Sequence, residues 1–238
     1  MDHFAATQKT FDTQVKPVLR YSTRRRLDIL LDYVAEKNVL DLGCVEHEAG
    51  IEQKSEWWLH SLIKTRAKTV KGVDYDEEAV ALLRDKGYNV CTANVEDMDL
   101  GEKFDVIMAG ELVEHLTNHR AFFDSIKRHL MPNGIFVASV PNANSLNYFV
   151  QTLVFGHEVD AWDHAVFFTP TTASVLLKKC GMTPIDIVVY QPDHIFHHEK
   201  LSRKVAARIF NGIQQGVCKI RPTLGRGLIF AAKVSNCP

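Results

Sequence analysis

Short runs rich in Val, Ile and Leu alternate along this chain with segments whose apolar positions recur every three or four residues. The runs fall at about 38–42, 69–73, 88–92, 104–109 and 134–140, and their near-continuous apolar character predicts strands buried on both faces. Between them, Leu27, Leu30, Leu31 and Val34 mark a helix that Ser22 can cap, and Trp58, Leu59, Leu62 and Ile63 mark another near 56–66. Ala79, Val80, Leu82 and Leu83 form the inward face of a helix running to Gly87. Phe122, Phe123, Ile126 and Leu130 belong to one that stops at Met131-Pro132-Asn133-Gly134. The alternation predicts an α/β fold with right-handed crossovers and a mostly parallel sheet covered by helices on both faces. From Pro141 to Thr169 the pattern breaks into an aromatic-rich excursion with Tyr148, Phe149, Phe155 and Trp162, and excursions of that length usually serve function. Thr169-Pro170 then opens a helix that Gly181 stops. Strands at Ile185–Tyr190 and Leu228–Val234 follow, separated by an amphipathic helix through Leu201, Val205, Ile209 and Ile213.

Composition narrows the class. At 238 residues the chain suits a single domain spanning 1–238, with a helical N-terminal segment 1–36 and insertions at 141–169 and 191–226 that would face an acceptor. Hydrophobic residues make up 46% and charged residues 24%, ordinary for a globular protein. A net charge of -1 supplies no global field for nucleic acid or an anionic membrane. The Arg24-Arg25-Arg26 triplet reads as a solvated helix face. Five cysteines without repeated spacing argue for reduced thiols rather than a disulfide framework. No signal peptide is visible, and no apolar run approaches the ~20 residues that span a bilayer. The expectation is a soluble cytoplasmic protein; oligomeric state is not legible.

Candidate chemistry gathers where the predicted strands end. Asn38-Val39-Leu40-Asp41-Leu42-Gly43-Cys44 and Val70-Lys71-Gly72-Val73-Asp74 are each an apolar run reaching an acid. Gly43 lets the backbone turn sharply beside a bound group, and Asp74 can accept from the two hydroxyls of a ribose. Asn94-Val95-Glu96 and Ala109-Gly110 end the next two strands. Each residue has a structural reading as well: Asp41 or Asp74 could cap a helix, and Asn94 is a common turn residue. Four tips offering suitable groups in order favour a nucleoside crevice at the carboxyl edge of the sheet. A nicotinamide site needs Gly-x-Gly-x-x-Gly spacing, and only Gly43 fits.

The stretches around Asp41 and Asp74 resemble the first two motifs of the class I S-adenosylmethionine-dependent methyltransferases, and the resemblance covers about residues 35–190. It implies a Rossmann-like seven-stranded, mostly parallel sheet with an antiparallel edge hairpin made by the last two strands. It also implies S-adenosylmethionine as cofactor. Asp41, Gly43 and Cys44 would border its methionine part, Asp74 and Tyr75 its ribose, and Asn94, Val95 and Glu96 its adenine, with Gly110 completing the set. The family loop reads Gly-x-Gly-x-Gly, whereas Val45 and His47 stand here at two of those glycines. The chain reads as a variant loop followed by a longer helix.

A second constellation, Glu111-Leu112-Val113-Glu114-His115, follows the fourth predicted strand. On a helix, spacings of three and four would put Glu111, Glu114 and His115 on one surface, able to hold Mg²⁺ or Mn²⁺. Glu-x-x-Glu-His with the later His164 resembles the ubiquinone-biosynthesis O-methyltransferases and the plant small-RNA 2′-O-methyltransferases. In those families the equivalents of Glu111, Glu114, His115 and His164 coordinate a cation that binds the acceptor hydroxyl. Without metal, the two glutamates would simply favour a helix N-terminus, and His115 or His164 could act as general base. His194, His197 and His198 form another cluster, read as a solvent-facing loop. The expected activity is methylation of oxygen on a small molecule or saccharide. The alternatives are an RNA hydroxyl methyltransferase, supported by the basic segment 200–226, and a non-catalytic nucleoside-binding or scaffold protein, suggested by Val45 and His47.

Overall fold

The computed structural model describes residues 5–6, 8–9, 11–45, 58–157, 163–191 and 201–235. His47, Trp162, His194, His197 and His198, which entered the sequence expectations, lie outside the described residues. The strands are β1 (Leu19–Ser22), β2 (Asn38–Leu42), β3 (Thr69–Asp74), β4 (Val90–Thr92), β5 (Phe104–Gly110), β6 (Leu130–Pro141), β7 (Met182–Tyr190) and β8 (Gly227–Val234). They form one sheet in the order β1-β7-β8-β6-β5-β2-β3-β4. β8 runs antiparallel to both β6 and β7, and the other pairs are parallel.

Three expectations need correction. The sheet has eight strands rather than seven, because β1 adds itself parallel to β7 beyond the predicted hairpin. Segment 1–36 is therefore not purely helical, and Ser22 closes β1 instead of capping a helix. Leu19-Arg20-Tyr21-Ser22 is short and half polar, so its strand character comes from a long-range pairing and not from a local pattern. At Met131–Gly134 the chain has already entered β6, since helix pairing stops at His129 and the backbone at Leu130 is extended.

The helices are α1 (Arg26–Leu31), α2 (Leu59–Lys64), α3 (Glu77–Asp85), α4 (His119–His129), α5 (Leu146–Phe155), α6 (Pro170–Lys179) and α7 (Leu201–Ile220). Caps follow the sequence: Asp76 accepts from Ala79 N at α3, and Thr169 forms a reciprocal capping box with Thr172 at α6. The period of two in the strands splits the core into layers. In β5, Ile107 and Ala109 join the layer holding Phe122, Phe123, Phe136 and Phe230, while Val106 and Met108 join Ile29, Leu30 and Val137 on the other face. Phe122, Phe123 and Phe136 meet edge to face at centroid distances of 5.2, 5.4 and 5.7 Å. Each buried ring contributes roughly 1.5–3 kcal/mol. This core fixes the parallel strands so that the C-terminal tips of β2, β3, β5 and β6 share one edge. The strand order reverses between β2 and β5, the place where doubly wound sheets bind ligands.

Candidate active site

At the tip of β2, Gly43 takes a left-handed conformation (φ 68°) and the chain doubles back, Gly43 N and Cys44 N both donating to Val73 O at 2.9 and 3.2 Å. Side chains then hold the loop. Asp74 at the tip of β3 is buried and accepts from Val45 N at 3.0 Å and from Asp76 N at 3.2 Å. From below, buried Trp58 donates its indole N–H to Cys44 O at 2.7 Å. Gly72 makes room for this packing: a Cβ there would meet Cys44 Sγ at 2.6 Å and His60 Cε1 at 2.9 Å. Burial, and then the nearby Asp41 and Asp74 carboxylates, push the Cys44 thiol well above its ordinary range, so it is a filler and not a nucleophile.

Asp41 does not face the crevice as its place in the motif suggested. Two residues on from Val39, it shares that residue's face of the sheet, the side packed against α1 and α2. There it is buried, 2.9 Å from His60 Nδ1. Burial raises the Asp41 carboxyl, against the hydrogen bond from His60. Asp41 thus anchors α2 to β2 through His60.

The tip after β4 is a turn in which Asn94 Oδ1 accepts from Glu96 N at 3.0 Å. Glu96 in turn accepts from Asn118 N at 3.0 Å, tying this tip to the start of α4. Val95 is buried in the core, and Tyr75 stands 74% exposed.

The tip of β5 departs most from expectation. The residues after Gly110 do not start an α-helix: Glu111 adopts φ 52°, and Val113–His115 make a single 3-10 turn before α4 begins at His119. A left-handed glutamate is strained, and such strain is held by its surroundings. Here Glu111 N donates to Ser139 O at 3.0 Å and approaches Ser139 Oγ at 3.2 Å, and the carboxylate lies 3.4 Å from Arg26 Nη1. Arg26 also donates to Ser139 Oγ at 3.1 Å. Arg24 and Arg25 pair with Asp32 and Asp28 at the surface as a solvated face should, but Arg26 turns inward to the site.

The altered turn changes the metal constellation. Ligand atoms of Glu114, His115 and His164 all lie within 4.8 Å of one another, and Glu111, held by Arg26, stands outside that group. Glu114 is buried, and the rings of His115 and His164 meet edge on at 4.7 Å. His115 Nδ1 lies 3.1 Å from Asp163 Oδ2. The loop carrying His164 is held by Ala165 N and Val166 N, which donate to Glu114 O at 2.9 and 3.1 Å.

Beside Glu111 opens a polar cavity of about 160 Å³. All its lining residues except Pro141 carry hydrogen-bonding side chains, among them Ser145, Asn147, Gln151, Tyr190 and Arg226. Tyr190 is buried, and burial, followed by the charge of Glu111, pushes its phenol far above the ordinary range. It therefore acts as a neutral hydroxyl.

Residues 13–187 match the family model described as a methyltransferase domain. The chain belongs to the class I S-adenosylmethionine-dependent methyltransferases. A ubiquinone biosynthesis O-methyltransferase of Cereibacter sphaeroides is 32% identical over 92 residues, covering 36% of this methyltransferase and 37% of that protein. One from Nitrobacter winogradskyi is 34% identical over 113 residues, covering 43% and 41%. The chain thus spans about two fifths of the length of these curated relatives. Among solved structures, a methyltransferase in complex with the Haloferax volcanii Trm112 activator superposes with a TM-score of 0.59 at 15% identity, covering 100% of this chain and 96% of that one. A methyltransferase from Archaeoglobus fulgidus superposes at 0.56 and 20% identity, covering 87% and 91%. At these identities the likeness shows the fold.

Several residues of this methyltransferase's site went unread in the sequence. Arg26 was hidden inside an arginine triplet, and Trp58 and His60 looked like an ordinary helix start. Asp163, beside His164, was the readable signal for the partner of His115. Tyr190 and Arg226 are brought together by the β7–β8 pairing, which no local spacing announces.

Proposed function

We propose that this methyltransferase places the methyl group of S-adenosylmethionine on a hydroxyl oxygen of a small polar acceptor, such as a saccharide, beside a divalent cation, Mg²⁺ or Mn²⁺. The observation that supports this reading is the convergence of Glu114, His115 and His164 from two separate loops within 4.8 Å. Oxygen and nitrogen ligands sit ~2.0–2.6 Å from an ion, so a spread of this size fits one cation. When bound, the cation would lower the pKa of an acceptor hydroxyl and orient its oxygen. Asp163, accepting at His115 Nδ1, leaves Nε2 as the nitrogen free to ligate or to take a proton, an orientation that metal-ligating histidines commonly use.

The cofactor residues fit in kind. S-adenosylmethionine supplies the sulfonium methyl. A carboxylate offers about four acceptor positions. Asp74 spends two on Val45 N and Asp76 N, and keeps capacity for ribose hydroxyls. Gly43 keeps the backbone bare where the chain turns, and the Asn94–Glu96 turn lies at the adenine end. Arg26 and Ser139 hold Glu111 at the cavity wall, where Glu111, Gln151, Tyr190 and Arg226 offer both donors and acceptors to a polyhydroxylated acceptor. In this reading residues 1–238 act as one catalytic unit.

The test is Mn²⁺ titration followed by electron paramagnetic resonance, with methyl transfer to a panel of sugars and phenols read by mass spectrometry. Wild type should bind one Mn²⁺ and lose turnover with chelator while retaining S-adenosylhomocysteine. Glu114→Gln should lose both the Mn²⁺ signal and turnover and stay folded. Mn²⁺ binding that survives Glu114→Gln would reject the site. Methylation of RNA instead, with a steep inverse salt dependence, would reassign the acceptor.

A further inference from the structure

The long helix α7 wears its polarity inside out. The side packed on the body carries polar groups: Asn211 and Gln214 are buried beside Cys218, Gln191 Nε2 donates to Gln214 Oε1 at 3.2 Å, and the Tyr21 hydroxyl meets Cys218. The opposite side is aliphatic, with Val205, Ile209, Ile213 and Ile220 exposed by 47, 59, 55 and 74%. At 3.6 residues per turn these four fall within an arc of roughly 80°. Gly212 and Gly216 lie in the same stripe, and nothing stands within 4 Å of where their Cβ atoms would be. Arg208 and Lys219, both exposed, border it. From 201 to 226 the sequence carries six Lys and Arg and no Asp or Glu, in a chain whose totals are 28 and 29.

We propose that α7 docks the protein on an anionic lipid surface, its aliphatic stripe in the headgroup–acyl boundary and its basic border among lipid phosphates. An apolar face lined by cations is the pattern of helices lying in a membrane interface. A second copy is the poorer occupant. A two-fold contact through this face would set two basic segments against each other with no carboxylate from either segment to compensate. α7 is bracketed by Tyr190 and Arg226, two lining residues of the polar cavity, so docking would hold the cavity near the surface. The proposal does not depend on the methyl-transfer reading. Among the described residues no helix is long and apolar enough to cross a membrane, and docking needs none.

The experiment is co-sedimentation of the full chain with vesicles of equimolar phosphatidylcholine and phosphatidylserine, and with phosphatidylcholine alone. Wild type should pellet with the mixed vesicles, less so as salt rises. Ile209→Glu/Ile213→Glu should weaken this by about tenfold or more. The circular dichroism should stay unchanged, because both side chains are already exposed. Arg208→Glu/Lys219→Glu should weaken it as well. No pelleting, or equal pelleting with both vesicle types, would overturn the assignment. So would a dimer seen by light scattering that Ile209→Glu/Ile213→Glu dissociates, which would give the face to a second copy. Soluble wild type that instead binds an acidic protein through this face would also overturn it.

Discussion

Replacing Trp58 by Phe removes one hydrogen-bond donor from beneath the tip of β2 while leaving a ring in its place. The indole is 3% exposed, donates to Cys44 O at 2.7 Å, and meets Tyr88 edge on at 5.0 Å among Cys44, Val80, Leu83 and Val90. A buried carbonyl left unsatisfied costs ~1–3 kcal/mol. The smaller ring leaves a void worth about another 1 kcal/mol. Unfolding should therefore be easier by roughly 2–4 kcal/mol, a fall in Tm of roughly 4–16 °C for a chain of this size. The same bond positions the backbone at the candidate cofactor loop, so S-adenosylhomocysteine should bind about tenfold more weakly, ~1.4 kcal/mol. Urea unfolding and isothermal calorimetry on both proteins give the two numbers. Stability within about 0.5 kcal/mol of wild type, with unchanged affinity, would show that the indole does not hold the loop.

Asp74→Ala should weaken S-adenosylhomocysteine at least about tenfold, from a lost charged acceptor worth ~1.5–3 kcal/mol, and calorimetry showing full affinity would remove Asp74 from the site. Tyr33 is pushed up to about 12 from 10.0 by burial and by its hydrogen bond to Asp186. Its neutral form is the one the fold favours, so the unfolded chain ionises first and stability should fall as pH rises from about 10 toward 12. Tyr33→Phe should flatten that part of the pH profile in urea unfolding. An unchanged slope would place its cause elsewhere.

The strands of this fold were legible because burial on both faces writes itself as unbroken apolar runs. β2, β3, β5 and β6 stand where those runs fall, and Thr169-Pro170 opens its helix as its residues require. What escaped was set by partners distant in sequence. Strand periodicity puts Asp41 on the face of Val39, and His60 on α2 makes it a buried pair there. The spacing of Glu111, Glu114 and His115 suits a helix, but Ser139 and Arg26 hold Glu111 left-handed and leave a single 3-10 turn. The metal-like group that results keeps three of the four expected residues, since His164 arrives through the backbone of a different loop. β1 carries no pattern of its own, and only the partner strand reveals it.

That small strand has a consequence for how the protein behaves in a crowded solution. The sheet ends in β1, four residues, and in β4, three residues, and short edges offer little template for another chain to pair with. Without β1, the outer rim would be β7, nine residues long and carrying Ile187, Val188 and Val189 in a row, a stretch suited to cross-molecular pairing. Arg20 grips Asp186 of that strand with bonds of 2.7–3.0 Å, and Gln191 N extends the pairing to Ser22 O. Trimming the chain before Arg24 would keep every residue of the candidate site yet bare β7 and take Val15 from the core, and light scattering should then show association that the full chain lacks.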